Sequence, residues 1–320
     1  MIVIKELSKT FPNGITAVDR ATLHIAKGET VGLMGVNGAG KTTLIKLICG
    51  LYQPTDGYIR VFGEEPCRRK SKEKYIGLVT GQNITDGYNY HFGHAGSMLQ
   101  DDLSLELNMA LIQAIYRIPK AVYRQKTEEL LTKLDLTRQL PCRVGQLSLG
   151  QRMKTEIAAV LLFQPALLIL DEPFIGIDVT AREAIRAMLR EIAREKETTV
   201  ILTTHHVNEL EAICQRVLLL DRGQILYDGS LDRLKQSHIG LSRMEIRFNG
   251  TPPDLLDFPI QRYRVENHTL TLYYDSGLIG AADLSRYLLS HGEATDILIR
   301  KPCLEDIVKG LHKEEHHGNH

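Results

Sequence analysis

The chain has 320 residues, of which 43% are hydrophobic and 24% charged, enough to bury one large core or two modest ones. Its 39 lysines and arginines balance 39 aspartates and glutamates, so no basic excess exists to neutralise a polyanion, and nucleic acid is not an expected partner. Five cysteines, Cys49, Cys67, Cys142, Cys214 and Cys303, lack CxxC spacing, which argues against a disulfide framework or a zinc site and fits a reducing cytosol.

Met1-Ile2-Val3-Ile4-Lys5 has no basic stretch ahead of a long apolar run. The longest apolar runs, such as residues 166–170, fall far short of the roughly 18 residues a membrane helix needs. A soluble chain is expected, with any membrane role passing through a partner. Alternation at Val3, Lys5 and Leu7, then at Ala21, Leu23 and Ile25 about the turn Pro12-Asn13-Gly14, predicts an antiparallel β layer. Residues 35–42 follow as Gly-Val-Asn-Gly-Ala-Gly-Lys-Thr, after a short apolar strand (Val31, Leu33, Met34) and before a helical pattern (Leu44, Ile45, Leu47, Ile48). This GxxxxGK[ST] run in a strand-to-helix setting is a phosphate-binding loop. Successive N–H groups of Gly35, Asn37, Gly38, Ala39 and Gly40 are expected to face a polyphosphate, aided by the helix N-terminus. Lys41 is expected to reach the β and γ phosphates, the Thr42 hydroxyl to coordinate Mg²⁺, and Thr43 to contact the α-phosphate.

Residues 126–136 have helical spacing. Leu147-Ser148-Leu149-Gly150-Gln151 then opens a helix through Met153, Ile157 and Val160. Ser148 and Gln151 fit a capping box. The same capped N-terminus, with Gly150 permitting close approach, is also a second anion site suited to a γ-phosphate from another subunit. Both readings hold together. The strand at 166–170 ends in Asp171-Glu172-Pro173, placing two acids at a carboxyl end, where such sheets bind ligands. Asp171 is expected to hold Mg²⁺ and Glu172 to orient or deprotonate an attacking water; a plain helix N-cap by Asp171 is the alternative. A helix at 181–193, a strand at 199–203, a helix at 207–214 and a strand at 216–220 follow. Continuous apolar strands alternating with helices indicate a parallel sheet covered on both faces.

Composition changes after Asp228-Gly229-Ser230, so residues 1–230 are expected to form one domain and 231–243 a linker. Beyond it, Met244/Ile246/Phe248, Tyr263/Val265, Leu270/Leu272/Tyr274, a helix from Ala281, a strand near Ile297/Ile299 and a last helix at Leu304, Ile307, Val308 and Leu311 predict a small α/β domain over 244–315. Residues 316–320, including His316, His317 and His320, are expected to be disordered, with metal binding as the lesser reading.

The order of phosphate loop, glutamine loop, LSxGQ signature, Asp-Glu strand end and strand-terminal histidine resembles the nucleotide-binding subunit of ABC transporters over about residues 1 to 230. The resemblance implies the ABC-type P-loop fold: a parallel core sheet, an antiparallel β layer and a helical subdomain carrying the signature. It implies an ATPase using ATP and Mg²⁺, and a head-to-tail dimer in which Ser148, Gly150 and Gln151 of one subunit close over ATP held by Lys41 of the other. It further assigns Phe11 to adenine stacking, Gln82 to sensing Mg²⁺ and water while touching the membrane partner, Asp178 to the loop crossing the dimer interface, and His205 to the switch histidine. Plainer readings stand beside these: strand packing for Phe11, a solvated loop for Gln82, a helix N-cap for Asp178, a satisfied strand-end residue for His205. His206 reads as a bystander.

Two departures from the family pattern stand out. The segment after Asp-Glu-Pro is Phe174-Ile175-Gly176-Ile177-Asp178, and Gln82 is followed by a long polar and aromatic stretch, residues 83–100. Tyr88, Tyr90, His91, Phe92 and Met98 there supply a weakly charged aromatic patch suited to an interface, so this stretch is expected to receive an integral membrane permease subunit. The stretch Ser148-Leu149-Gly150-Gln151-Arg152-Met153, the variant Ile175-Gly176-Ile177-Asp178-Val179 and the C-terminal extension together resemble the ATPases of drug-efflux-type exporters, working peripherally on the cytoplasmic side of the membrane. A soluble ABC-type ATPase in translation or DNA metabolism and an importer subunit are the competing readings. A single cassette without a basic linker, and too few residues between Lys41 and Ser148 for a coiled coil or zinc insertion, disfavour the first.

Overall fold

The computed structural model describes residues 1–68, 75–81, 97–205, 207–238, 241–250, 253, 260–275 and 278–300. They belong to two compact units, Met1–Gly229 and Ser230–His320.

The first unit runs β1 (Ile2–Thr10), β2 (Thr16–Ile25), β3 (Thr30–Met34), α1 (Lys41–Ile48), β4 (Asp56–Val61), β5 (Ile76–Thr80), α2 (Leu105–Ile115), α3 (Lys120–Lys133), α4 (Leu149–Leu162), β6 (Leu167–Asp171), α5 (Val179–Glu195), β7 (Thr199–Thr204), α6 (Val207–Glu211), β8 (Arg216–Asp221) and β9 (Gln224–Ser230). One sheet has the order β2-β1-β4, antiparallel throughout. The other has the order β5-β6-β7-β3-β8-β9, and β5, β6, β7, β3 and β8 are mutually parallel. Every residue of β6 and β7 is buried, as continuous apolar strands require when both sheet faces are covered.

Helix α1 lies in the core shared by the two sheets. Leu44, Ile45, Leu47 and Ile48 pack with Ile2, Ile4, Ile59 and Val61 on one side and with Val31, Leu33, Ile169, Ile201 and Leu218 on the other. Each such side chain gains about 1.5–3 kcal/mol on full burial, so the start of α1 is fixed relative to the strand ends. In β1 the alternation differs from the sequence expectation: Ile2, Ile4 and Leu7 are buried, whereas Lys5 is exposed. A register shift between Ile4 and Leu7, with Glu6 at φ 46°, inserts an extra residue and returns Leu7 to the buried face.

Helix α4 packs against α2 and α3. It begins with a complete capping box. Helix α6 ends at Glu211 rather than at 214, where the N–H groups of Ile213 and Cys214 both turn back to the Leu210 carbonyl.

The second unit runs α7 (Leu231–His238), β10 (Leu241–Phe248), β11 (Ile260–Glu266), β12 (Thr269–Asp275), α8 (Ala281–Ser290) and β13 (Ala294–Arg300), with sheet order β11-β12-β10-β13. The stretch expected as a linker thus carries a helix and the start of a strand. Leu284 and Leu288 of α8 cover Met244, Ile246, Leu270 and Leu272. The last expected helix and the histidine-rich tail lie outside the described residues.

Candidate nucleotide site

Parallel pairing brings four strand ends together. Met34 pairs with Thr204, Asp171 with Thr203, and Thr80 with Asp171. The phosphate loop leaves the first of these ends, with Gly38 at φ 82° and Gly40 at φ 104°, and a Cβ on Gly40 would stand 2.1 Å from the Ala17 carbonyl oxygen. Only glycine fits there. Gly40 is also the N-cap of α1 and brings no side chain to it, which leaves first-turn N–H groups for a ligand.

A cavity of about 400 Å³ lies over this end of the sheet, lined by residues 37–43 together with Ala17, Lys46, Thr80, Asp171 and Glu172. Lys41 Nζ donates to the carbonyls of Gly35 at 2.7 Å and Val36 at 3.3 Å. It stands 3.9 Å from Glu172 Oε1. Burial holds its ammonium below the usual lysine range, against the opposing pull of Glu172 and Asp171. Thr42 Oγ1 donates to Asp171 Oδ2 at 3.3 Å, and Thr203 Oγ1 donates to Asp171 Oδ1 at 2.6 Å. The Thr203 hydroxyl also accepts from the Glu172 N–H at 2.9 Å. Glu172 itself has φ 52°, in the left-handed region. Its Oε2 lies 3.1 Å from His205 Nδ1. The carboxylate is thus held between a cation on one side and an imidazole on the other.

The structure therefore brings Lys41, Thr42, Thr43, Asp171, Glu172 and His205 to one place. A second cluster forms where α4 and α5 begin. Ser148 Oγ accepts from the Gln151 N–H at 3.3 Å and Gln151 Oε1 accepts from the Ser148 N–H at 3.0 Å. Asp178 caps α5, its Oδ1 accepting from the Ala181 N–H at 2.9 Å. That bond is the main reason its carboxyl lies below the usual range. A Cβ on Gly150 would come within 2.8 Å of both Asp178 Oδ2 and Ala181 Cβ, so the two helix starts meet only through a glycine. Among the described residues, Ser148, Gly150, Gln151 and Asp178 do not line the cavity, and neither does Phe11. The Phe11 ring sits edge-on to Tyr52 at 5.5 Å between centroids, with Lys9 Nζ 5.4 Å above it. Gln82, His206 and most of the stretch expected to meet a membrane subunit lie outside the described residues.

Sequence reasoning passes over Thr203, Lys46, Thr80 and Ala17. Thr203 carries no local signal, because its role exists only when β7 lies in register beside β6.

The family profile described as "ABC transporter" matches residues 18–175. The doxorubicin resistance ATP-binding protein DrrA of Mycobacterium tuberculosis is 30% identical over 97% of this chain and 93% of its own length. The Nod factor export ATP-binding protein I of Rhizobium sp. (strain N33) is 32% identical over 92% of this chain and 91% of its own. A dimeric ATP-binding cassette solved in a post-hydrolysis state with ADP and Pi superposes with TM-score 0.60 at 26% identity, covering 72% of this chain and 99% of that one. With the phosphate loop, the acid pair and the capped signature helix on one ABC-type fold, the chain belongs to the ABC transporter ATP-binding subunits, which bind ATP and hydrolyse it for transport.

Proposed function

We propose that the chain energises export of a substrate through a separate integral membrane subunit, as a peripheral protein on the cytoplasmic side. The observation that carries the catalytic part is the Lys41–Glu172–His205 arrangement beside Thr42 and Asp171. In this reading the loop N–H groups cradle the ATP phosphates, and Lys41 exchanges its carbonyl partners for β and γ phosphate oxygens. Thr42 and Asp171 fit Mg²⁺: they offer a hydroxyl and one carboxylate at 3.3 Å from each other, and Mg²⁺ commonly takes one or two carboxylates with phosphate oxygens and water. The ion would neutralise charge on the β and γ phosphates. Glu172 Oε accepts a proton from the attacking water, and His205 holds Glu172 in place. Gln82 would sense Mg²⁺ and water, and Phe11 would turn its ring to the adenine.

Ser148, Gly150 and Gln151, absent from the cavity of their own chain, act on the ATP of a second copy in a head-to-tail dimer, with Asp178 at the crossing. Residues 1–230 act as the ATPase domain and 244–315 as an accessory domain that supports dimerisation. Export is supported by the two relatives above whose names concern drug resistance and export, because both extend across the C-terminal unit.

The test is Glu172→Gln. MgATP affinity should persist, turnover should fall by roughly 10²–10⁴, and an ATP-bound dimer should accumulate in sedimentation. Wild-type turnover in that variant would remove Glu172 from the role.

A further inference from the structure

Glu156 of α4 is a carboxylate that none of these roles employs. Its side chain is 12% exposed and faces Arg152 one turn back, whose Nε is 3.9 Å from Glu156 Oε1. Glu156 also accepts hydrogen bonds from Ser97 Oγ and from the Met98 backbone. Arg152 Nη2 in turn lies 2.8 Å from Asp101 Oδ1. Ser97, Met98 and Asp101 all belong to one short run. On its other side, Asn108 of α2 is buried and donates to the Gln100 carbonyl at 3.1 Å while accepting from the Gln100 N–H at 2.7 Å. The Gly145 N–H donates to the Asp101 carbonyl at 3.0 Å. Residues 97–101 are thus clamped between α2 and α4, and Arg152 and Glu156 supply side chains for the α4 half of the clamp.

A buried carboxylate is an expensive way to gain stability, since an apolar side chain of similar volume is often as good or better. Its placement suits transmission. Arg152 donates its N–H to the Ser148 carbonyl at 2.7 Å, so the clamp grips α4 one turn from the signature residues. Burial pushes the Glu156 carboxyl above its ordinary range, with Asp101 adding to the rise and Ser97, Arg152 and Met98 opposing it.

We propose that Glu156 is a positioning residue for ATP hydrolysis, locking residues 97–101 to α4 so that a displacement of this run turns the helix start at Ser148 and Gly150 with it. The inference rests on the two-subunit site proposed above.

The test uses the full-length chain as wild type, Glu156→Gln, Arg152→Gln and the double variant. MgADP titration reads the Lys41 site, phosphate release reads kcat, and sedimentation with and without ATP reads self-association. Glu156→Gln should leave MgADP affinity within about twofold while lowering kcat and ATP-driven association by about fivefold or more, the split expected when ground-state binding is untouched. The double variant should be no worse than the worse single one, because the pair acts as a unit. Acidification should lower wild-type kcat along a limb above the ordinary carboxylate range, and that limb should be missing in Glu156→Gln. Unchanged kcat and association in the variants, or the same acid limb with and without Glu156, overturns the proposal. Should Glu156→Gln lose its cooperative thermal transition, Arg152→Gln carries the same kcat and association readouts. A wild-type chain whose activity is strictly linear in concentration and which never self-associates overturns the two-subunit reading and the clamp with it; an intact dimer indifferent to Glu156 overturns the clamp alone.

Discussion

Burial strips most of the water from Lys41 Nζ and leaves it two carbonyl oxygens and a carboxylate 3.9 Å away. Its proton is therefore held less firmly in the folded chain than in the unfolded one. Between that lowered value and the ordinary 10.5, the unfolded chain binds more protons, so the lysine's contribution to stability rises with pH across that window. At neutral pH the buried charge opposes folding. Lys41→Met should accordingly unfold at the same or a higher temperature than wild type at neutral pH, with the gap closing as pH climbs toward 10.5. The same variant should lose the stabilisation that MgATP gives wild type, together with about 3 kcal/mol of electrostatic stabilisation of the reacting phosphates. Scanning calorimetry with and without MgATP reads the first two effects, and the rate of phosphate release reads the third. A variant less stable than wild type yet still stabilised by MgATP would contradict the account.

Pairing of β6 with β7 supplies what neither strand holds alone. Thr203 donates to Asp171 and accepts from the Glu172 N–H, anchoring a glutamate whose φ of 52° lies outside the usual range for such a residue. Thr203→Val keeps the shape and removes both bonds, leaving a buried N–H and a carboxylate oxygen short of a partner. About 1–3 kcal/mol of stability should be lost, and turnover should fall while nucleotide affinity holds. Denaturant melts and single-turnover assays measure the two, and a neutral variant would show that the anchor is dispensable. The phosphate loop, the acid pair and the capping box are legible in the sequence because each is a contiguous pattern. Thr203 is not, since a register is written in two strands at once. Helix α2 goes unread for a different reason. Its buried positions include the polar Asn108, while Leu107, Leu111 and Ile115 on other faces are exposed, so apolar residues run all round and no single stripe stands out.

At the scale of the molecule, one chain supplies half of the two-subunit site proposed above. The cavity holds a cation, two acids and, through Glu172, an imidazole, yet the signature helix start lies off it with its own N–H groups partly met by Ser148 and Gln151. A helix start so prepared still offers partial positive charge to an anion, and a second copy can present one. Among the described residues no helix is long and apolar enough to cross a membrane. In the two-subunit site proposed above, closure of two such chains over ATP would supply the motion that drives a membrane partner. Activity should then rise more steeply than linearly with protein concentration. Lys41→Ala should be inactive because it cannot hold the phosphates. Ser148→Arg should be inactive because its bulk and charge block the helix start. Mixed, the two should recover part of the wild-type rate, since each heterodimer keeps one site with an intact Lys41 facing an intact Ser148. Linear concentration dependence together with a mixture as inactive as its components would place the whole reaction within a single chain.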